Sequence, residues 1–349
     1  MPGAVAKGAY EAGVISILAK SAVQIDRIVA TSSGALNGIV FAAGIRSGTT
    51  KEMTENLIRA WVEEGSWQGS FSFNPLNLIR GRGLSGRDGL LNMLNSLVKP
   101  VKSKEKREVQ LRIVVSPLEG VRGEIGGKSA TTYEKVLYFE GKDFDTAERL
   151  SKMFDAVTAA CAFPGLFAPV NLQGLGPCVD GGIVNNAPIR YALEESDVDR
   201  VIVPVPFPDV MPKRNLRKGF SFVSHLIEIL INERLFRDLH NAQLVNEDFA
   251  TLERLVARRV ISPSQASVIR NELQIRRVQI TEVRPISRLK GGAFSGFMSK
   301  AERIHFVEAG QKAAIRCLST IEPEADPNKK NPIQSNTSRT NIPRKKPTS

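Results

Sequence analysis

Cysteine is scarce in this sequence. The three that occur, Cys161, Cys178 and Cys317, lie far apart and form neither a disulfide framework nor the paired spacing of a zinc box, so structural metal and redox chemistry drop out and a reducing, cytoplasmic setting is the simpler expectation. Long apolar runs are missing too. Stretches such as Ile39 to Ala43 and Val201 to Phe207 fall well short of the roughly 18 residues that a bilayer-spanning helix needs. The opening MPGAVAKGAYEAG has no basic start followed by an unbroken apolar core, so it does not read as a secretory signal. Histidine is limited to His225, His240 and His305, and no internal repeat is visible.

What is present is ordinary globular composition: 349 residues, 42% hydrophobic and 24% charged, enough for one large domain or two medium ones. A net charge of +12 admits three readings: nucleic acid, an anionic membrane surface, or solubility alone. From Thr320 onward the chain turns to Pro, Asn, Ser, Thr and charge, which predicts a disordered tail over 320–349. Its six basic and three acidic residues give it 6 − 3 = +3, leaving +9 on the folded part.

Before the tail, short apolar runs alternate with helical patterns, the signature of a mostly parallel sheet covered by helices. Strands are expected over Arg27 to Ala30, Leu111 to Ser116, Lys135 to Phe139, Val179 to Asp180 and Arg200 to Pro206. Helices are expected over Gly8 to Lys20, Gly34 to Gly44, Thr50 to Glu64, Gly86 to Leu97, Ala147 to Ala160, Phe222 to Asn246, Phe249 to Arg258, Pro263 to Leu273 and Ser299 to Leu318.

Three segments can carry chemistry. In Ala30-Thr31-Ser32-Ser33-Gly34 a β-branched strand runs into a turn holding serines, and small residues then open a helix. A nucleophile elbow needs this pattern, because small residues two before and two after the serine let strand and helix pack closely. Alanine stands at the first of those positions, where glycine is usual, and the three hydroxyl residues can also be read as simple helix capping. In Val179-Asp180-Gly181-Gly182 an aspartate ends a strand and two glycines allow a tight turn, which places the carboxylate at the sheet edge; a plain Asp-Gly turn is the other reading. At the N-terminus, Gly3-Ala4-Val5-Ala6-Lys7-Gly8 is a loop opening a helix, whose backbone N–H groups can face an oxyanion. Taken alone, it reads rather as a small-residue helix start with a solvated lysine.

Together with AVTAACAFPGLFAPV and the late GFMSKAERIHFVEAGQKAA, these segments, in this order, resemble the bacterial branch of the patatin-like phospholipases, over Gly3 to about Ala314. The resemblance implies a three-layer α/β fold with a catalytic core over 1–218, a helical C-terminal part over 219–319 and the tail. It implies a Ser-Asp dyad of Ser32 as nucleophile and Asp180 as general base, an oxyanion hole from Gly3, Ala4, Val5 and Ser33, and support from Lys7, Gly8, Ala30, Gly34, Gly181 and Gly182. No cofactor or metal is implied. The expected activity is hydrolysis of lipid acyl esters through an acyl-enzyme, on a lipid or phospholipid substrate with peripheral contact to an anionic membrane.

Two departures from the family pattern stand out. Its loop reads as three glycines, where this chain has Gly3, Ala4 and Val5, so a positive φ at Val5 implies strain. It also places a strand directly before that loop, for which the residues ahead of Gly3 leave no room. These departures motivate the competing reading, an impaired relative that binds lipid or a partner; nucleic-acid binding rests on charge alone. A Ser-Asp-His triad with His225 or His240 stays formally open, although only 31 residues precede Ser32 and such an elbow normally follows several strands. Gly126-Gly127-Lys128-Ser129 resembles the end of a P-loop but lacks the earlier glycine, since Arg122 occupies that position,. The stretch Phe71 to Arg87, with Arg80 and Arg82, and the cluster Lys213, Arg214, Arg217 and Lys218 read as solvated loops or as headgroup-facing surfaces.

Overall fold

The computed structural model describes residues 1–66, 87–103, 106–125, 127–194, 198–208, 220–273, 275, 277–292 and 294–321. Residues Phe71 to Gly86, the Lys213 to Lys218 cluster and the tail from residue 322 lie outside the described residues.

A 3-10 turn, Val5–Lys7, runs straight into α1 (Gly8–Leu18). β1 (Arg27–Ala30), α2 (Ser33–Ser47), α3 (Thr50–Glu63) and α4 (Asp88–Leu97) follow. α1 and α2 are rich in Ala, Gly, Val and Ile and are buried on nearly every face, so neither carries a polar stripe,. α3 is amphipathic and buries only Thr54, Leu57, Ala60 and Trp61. The layer is closed by α10 (Lys300–Ile321), which packs along α1 and takes in Thr320, where the composition changes.

The central sheet is built on β2 (Gln110–Pro117). β1 pairs with it in parallel, from Arg27 opposite Gln110 to Ala30 opposite Ile113. β5 (Lys135–Phe139) and β7 (Gly176–Asp180) both run antiparallel to β2, and β6 (Val170–Leu172) runs antiparallel to β7. The sheet is therefore mixed, with antiparallel pairs in the majority, and this corrects the expectation of a mostly parallel one. A parallel neighbour needs a crossover connection, usually a helix. Here the link from β2 to β5 is taken up by a second hairpin, β3 (Val121–Ile125) with β4 (Lys128–Thr132). The Lys128-Ser129 pair of the apparent P-loop opens β4 of that hairpin.

Beyond the sheet lie α5 (Ala147–Ala160) and α6 (Ile189–Ala192), and β8 (Arg200–Pro204) pairs in parallel with β9 (Gln279–Val283) apart from the main sheet. Where two helices are expected after Phe222, a single 38-residue helix, α7 (Phe220–Ala257), is found. No glycine or proline interrupts Ser221 to Ala257, and Glu247-Asp248 carries a helix forward without a break. α8 (Pro263–Glu272) begins at a capping box of Ser262 and Gln265, and α9 (Ser295–Met298) leads into α10,.

One consequence of the pairing positions the site. β5 occupies one edge of β2, so β1 and β7 share the other, end to end. β1 stops at Ala30 opposite Ile113 and β7 stops at Asp180 opposite Val115, which brings two strand C-termini together over Val114. On the far side of β1, Met1 makes one bridge of a parallel pair: its ammonium donates to the Val29 carbonyl at 2.6 Å and its own carbonyl accepts the Thr31 N–H at 3.2 Å. An open cleft follows there, between Arg27 to Val29 and Val201 to Pro204.

Candidate active site

Ser32 sits at the junction of β1 and α2 with φ 51° and ψ −136°. A non-glycine residue in this region costs on the order of 1–3 kcal/mol and persists only where its surroundings fix it. They do so closely here. The Ser32 carbonyl accepts the Ala35 N–H at 2.8 Å and the Cys161 thiol at 3.0 Å. Ala30 is fully buried, and a Cβ on Gly34 would run into the Met1 carbonyl oxygen. The small residues expected on either side of the serine are therefore required by close packing.

Asp180 arrives from the opposite direction at the end of β7. Its N–H donates to the Ala162 carbonyl at 3.0 Å, and a side chain on Gly181 would collide with the Val114 carbonyl, so only glycine lets the chain turn there. The carboxylate accepts the Gly182 N–H on Oδ1 at 2.8 Å and the Ser32 hydroxyl on Oδ2 at 2.6 Å. Burial in this setting pushes the Asp180 carboxyl up to about 7, although the hydrogen bonds from Ser32 and Gly182 pull the other way,. The same burial, with Asp180 nearby, raises the Cys161 thiol well above its ordinary range, so Cys161 packs and donates as a neutral thiol.

The N-terminal loop closes over this pair. Val5 has φ 52°, the strained conformation implied for a β-branched residue at that position. Asn186 clamps the loop from below: its Oδ1 accepts the Gly3 N–H at 2.9 Å and its Nδ2 donates to the Gly3 carbonyl at 3.2 Å. The Ala4 N–H donates to Ser33 Oγ at 3.0 Å. Of the four amides expected at an oxyanion hole, those of Gly3 and Ala4 are thus engaged. The Val5 and Ser33 amides have no acceptor among the described residues. Gly8 is held against Trp61 and Ser33.

Lys7 is not solvated. It is 1% exposed, its ammonium lies 2.9 Å from Glu228 Oε1 and 4.7 Å from the centroid of the Phe207 ring.

Beside this pair of side chains, an apolar pocket is walled by Leu36, Trp61, Leu90, Met93, Phe163 and Phe297, with Ser32 and Asp180 at its polar end. Trp61 Nε1 donates to Asn37 Oδ1 at 2.7 Å, and Asn37 Nδ2 donates to Glu11 Oε2 at 3.1 Å. Burial pushes the Glu11 carboxyl up to about 8, against the neighbouring N-terminal ammonium and the Asn37 bond, which lower it. The histidines have other neighbours: His225 faces Glu228, His240 stacks on Phe236 and His305 packs on Phe306. Among the described residues no cluster of three or more His, Cys, Asp or Glu side chains could hold a metal ion. No helix among them is long and apolar enough to cross a membrane.

The family model for patatin-like phospholipases matches residues 1–193, more than half of the chain. The chain belongs to the patatin-like phospholipase family. The matched span holds the N-terminal loop, Ser32, Asp180 and Asn186, and ends before α7. Within the curated proteins, this patatin-like chain is 26% identical over 250 residues to YqhO of Bacillus subtilis, an alignment covering 68% of this chain and 79% of YqhO. Among solved structures it is similar to VipD from Legionella pneumophila at 14% identity and a TM-score of 0.37, covering 91% of this chain and 66% of that one. Family membership supports lipid acyl hydrolysis. Asn186 and the pocket walls were not legible as site residues: Asn186 lies 183 positions from the loop that it clamps.

Proposed function

We propose that this patatin-like protein is a serine hydrolase of lipid acyl esters that works through a Ser32-Asp180 dyad and an acyl-enzyme. The observation that carries the reading is the 2.6 Å hydrogen bond from Ser32 Oγ to Asp180, made by a strained serine to a carboxyl whose pKa sits near neutrality. A base with a pKa near the working pH combines adequate ionisation with adequate proton affinity.

In the acylation step Oγ attacks the ester carbonyl while its proton passes to Asp180 Oδ2. The carbonyl oxygen gains the negative charge, and the Val5 and Ser33 amides supply its hydrogen bonds. Collapse breaks the bond to the leaving alkoxide, which takes the proton from Asp180, and leaves the acyl group on Ser32. Water then gives its proton to Asp180 and attacks the acyl carbonyl; the second collapse returns that proton to Oγ and releases the carboxylic acid. The apolar pocket beside Ser32 suits an acyl chain, and the basic balance of the folded part suits an anionic lipid surface.

The test is hydrolysis of a p-nitrophenyl acyl ester and release of fatty acid from phospholipid vesicles. Wild type is expected to turn over both, and Ser32→Ala neither, with the fold retained. Full esterase activity in Ser32→Ala would remove the reading.

A further inference from the structure

Val5 carries one of the two free amides at a φ that a β-branched residue does not hold unaided,. Asn186 fixes the loop at Gly3, on one side of Val5. On the other side the 3-10 turn ends at Lys7, whose side chain is drawn into a buried charge cluster. Glu228, 2% exposed and projecting from α7, receives Lys7 Nζ on Oε1 at 2.9 Å and Arg288 Nη2 on Oε2 at 3.0 Å, with His225 Nδ1 at 3.6 Å from Oε2. Three separate segments of chain therefore meet on one carboxylate, and one of them is the loop over the catalytic serine.

Resting on the hydrolase reading above, we propose that Glu228 is a positioning residue for the oxyanion hole: it anchors Lys7 and so holds the Val5 amide where charge develops. Glu228 lies beyond the span matched by the family model, so α7 supplies to this site a contact that the matched span does not contain. A buried ion pair is a poor source of net stability, because desolvation offsets much of the attraction, but it fixes register well, since a lone buried charge left behind is strongly unfavourable. Removing the Glu228 charge takes away the carboxylate that lies 2.9 Å from the buried Lys7 ammonium, which weakens the hold of the turn on the strained geometry at Val5. Because the oxyanion forms only in the transition state, the loss falls on kcat and leaves KM largely alone.

The experiment measures the rate of fluorophosphonate labelling and the labelled fraction at completion, together with kcat and KM, on the full chain. Wild type is expected to take one label. Glu228→Gln is expected to reach the same final fraction at a rate lowered about 10- to 100-fold, with kcat lowered alike and KM within about twofold, since losing one oxyanion donor outright costs about 100- to 1000-fold. Glu228→Asp keeps the charge at shorter reach and is expected to show a smaller loss in the same rate, which keeps the test open if Glu228→Gln does not fold. Lys7→Met combined with Glu228→Gln is expected to be no slower than the slower single variant, the mark of two residues acting through one contact. A wild-type rate per labelled site, with only the labelled fraction or the melting temperature reduced, overturns the inference, as do additive losses in the double variant. A wild-type chain that takes no label removes the hydrolase reading and this inference with it, and is told apart by the wild-type control alone.

Discussion

The two turns flanking the candidate site have the same backbone problem and solve it differently. Ser32 and Val5 hold φ 51° and 52°, both in a region that favours glycine. The Ser32 turn is fixed mainly by backbone and close neighbours: β1 before it, α2 after it, and the head-to-head meeting of β1 and β7 on one edge of β2. The Val5 turn is fixed by side chains from far along the chain, Asn186 at Gly3 and Glu228 at Lys7, 183 and 221 positions away from their partners. Both turns therefore need the assembled fold, but the Ser32 turn rests chiefly on strand and helix packing and the Val5 turn chiefly on two side-chain contacts from distant segments.

The largest effects are expected where the local turn is stripped of its chemistry. Ser32→Ala should abolish ester turnover, and Asp180→Asn should lower kcat by about 100- to 10,000-fold, the usual worth of a positioned general base; steady-state kinetics on purified variants with unchanged circular dichroism checks both. The distant support comes next. Asn186→Ala leaves the buried Gly3 N–H and carbonyl without the partners they now have, and should lower kcat about 10- to 100-fold with little change in KM. If Asn186→Ala leaves kcat untouched, the loop is held by something other than this clamp and the contrast between the turns fails.

A pH effect of intermediate size follows from the buried acids. Burial raises Asp180 to about 7 and Glu11 to about 8, so each favours the neutral form in the folded state. Their contribution to stability is complete below their unfolded pKa values, near pH 4, and is lost as pH rises through about 7 and 8,. Under the proposed mechanism activity needs ionised Asp180 and should rise over much of the same range. Melting temperatures from pH 5 to pH 8.5 should show that Glu11→Gln flattens this fall; an identical slope in wild type and variant would contradict it. The smallest effect separates strain from packing. At Val5, glycine and alanine both lose the valine contacts, but only alanine keeps the strain, so Val5→Gly should be more stable than Val5→Ala by about 1 kcal/mol by denaturant unfolding. The reverse order would mean that the turn is not strained in solution.

The parts of this architecture that follow local rules were readable in the residues. β1 over Arg27–Ala30 and α5 over Ala147–Ala160 have the bounds that their apolar patterns predict. The glycines around Asp180 and the alanine and glycine around Ser32 mark close approach because only small residues fit there. What the residues conceal is pairing. In the β3–β4 hairpin, β4 has no apolar alternation to announce it, since Lys128, Ser129 and Thr131 are exposed, and the glycines before it resemble a nucleotide loop more than a turn. Strand direction in the main sheet depends on that hairpin, and so the sheet proved mostly antiparallel. Glu228 had no visible signal either: on a long helix rich in charge, one glutamate that points inward looks like its solvated neighbours until the fold brings Lys7 against it.

The central claim is that Ser32 is activated by Asp180. Its most direct test is the pH dependence of fluorophosphonate labelling, with the adduct located by peptide mass spectrometry. The account predicts a single adduct on Ser32, formed at a rate that rises with pH to a plateau with a midpoint near 7, and a Asp180→Asn variant from which that rise is lost. An adduct on another residue, no adduct, or a rate on Ser32 that does not change with pH would contradict it.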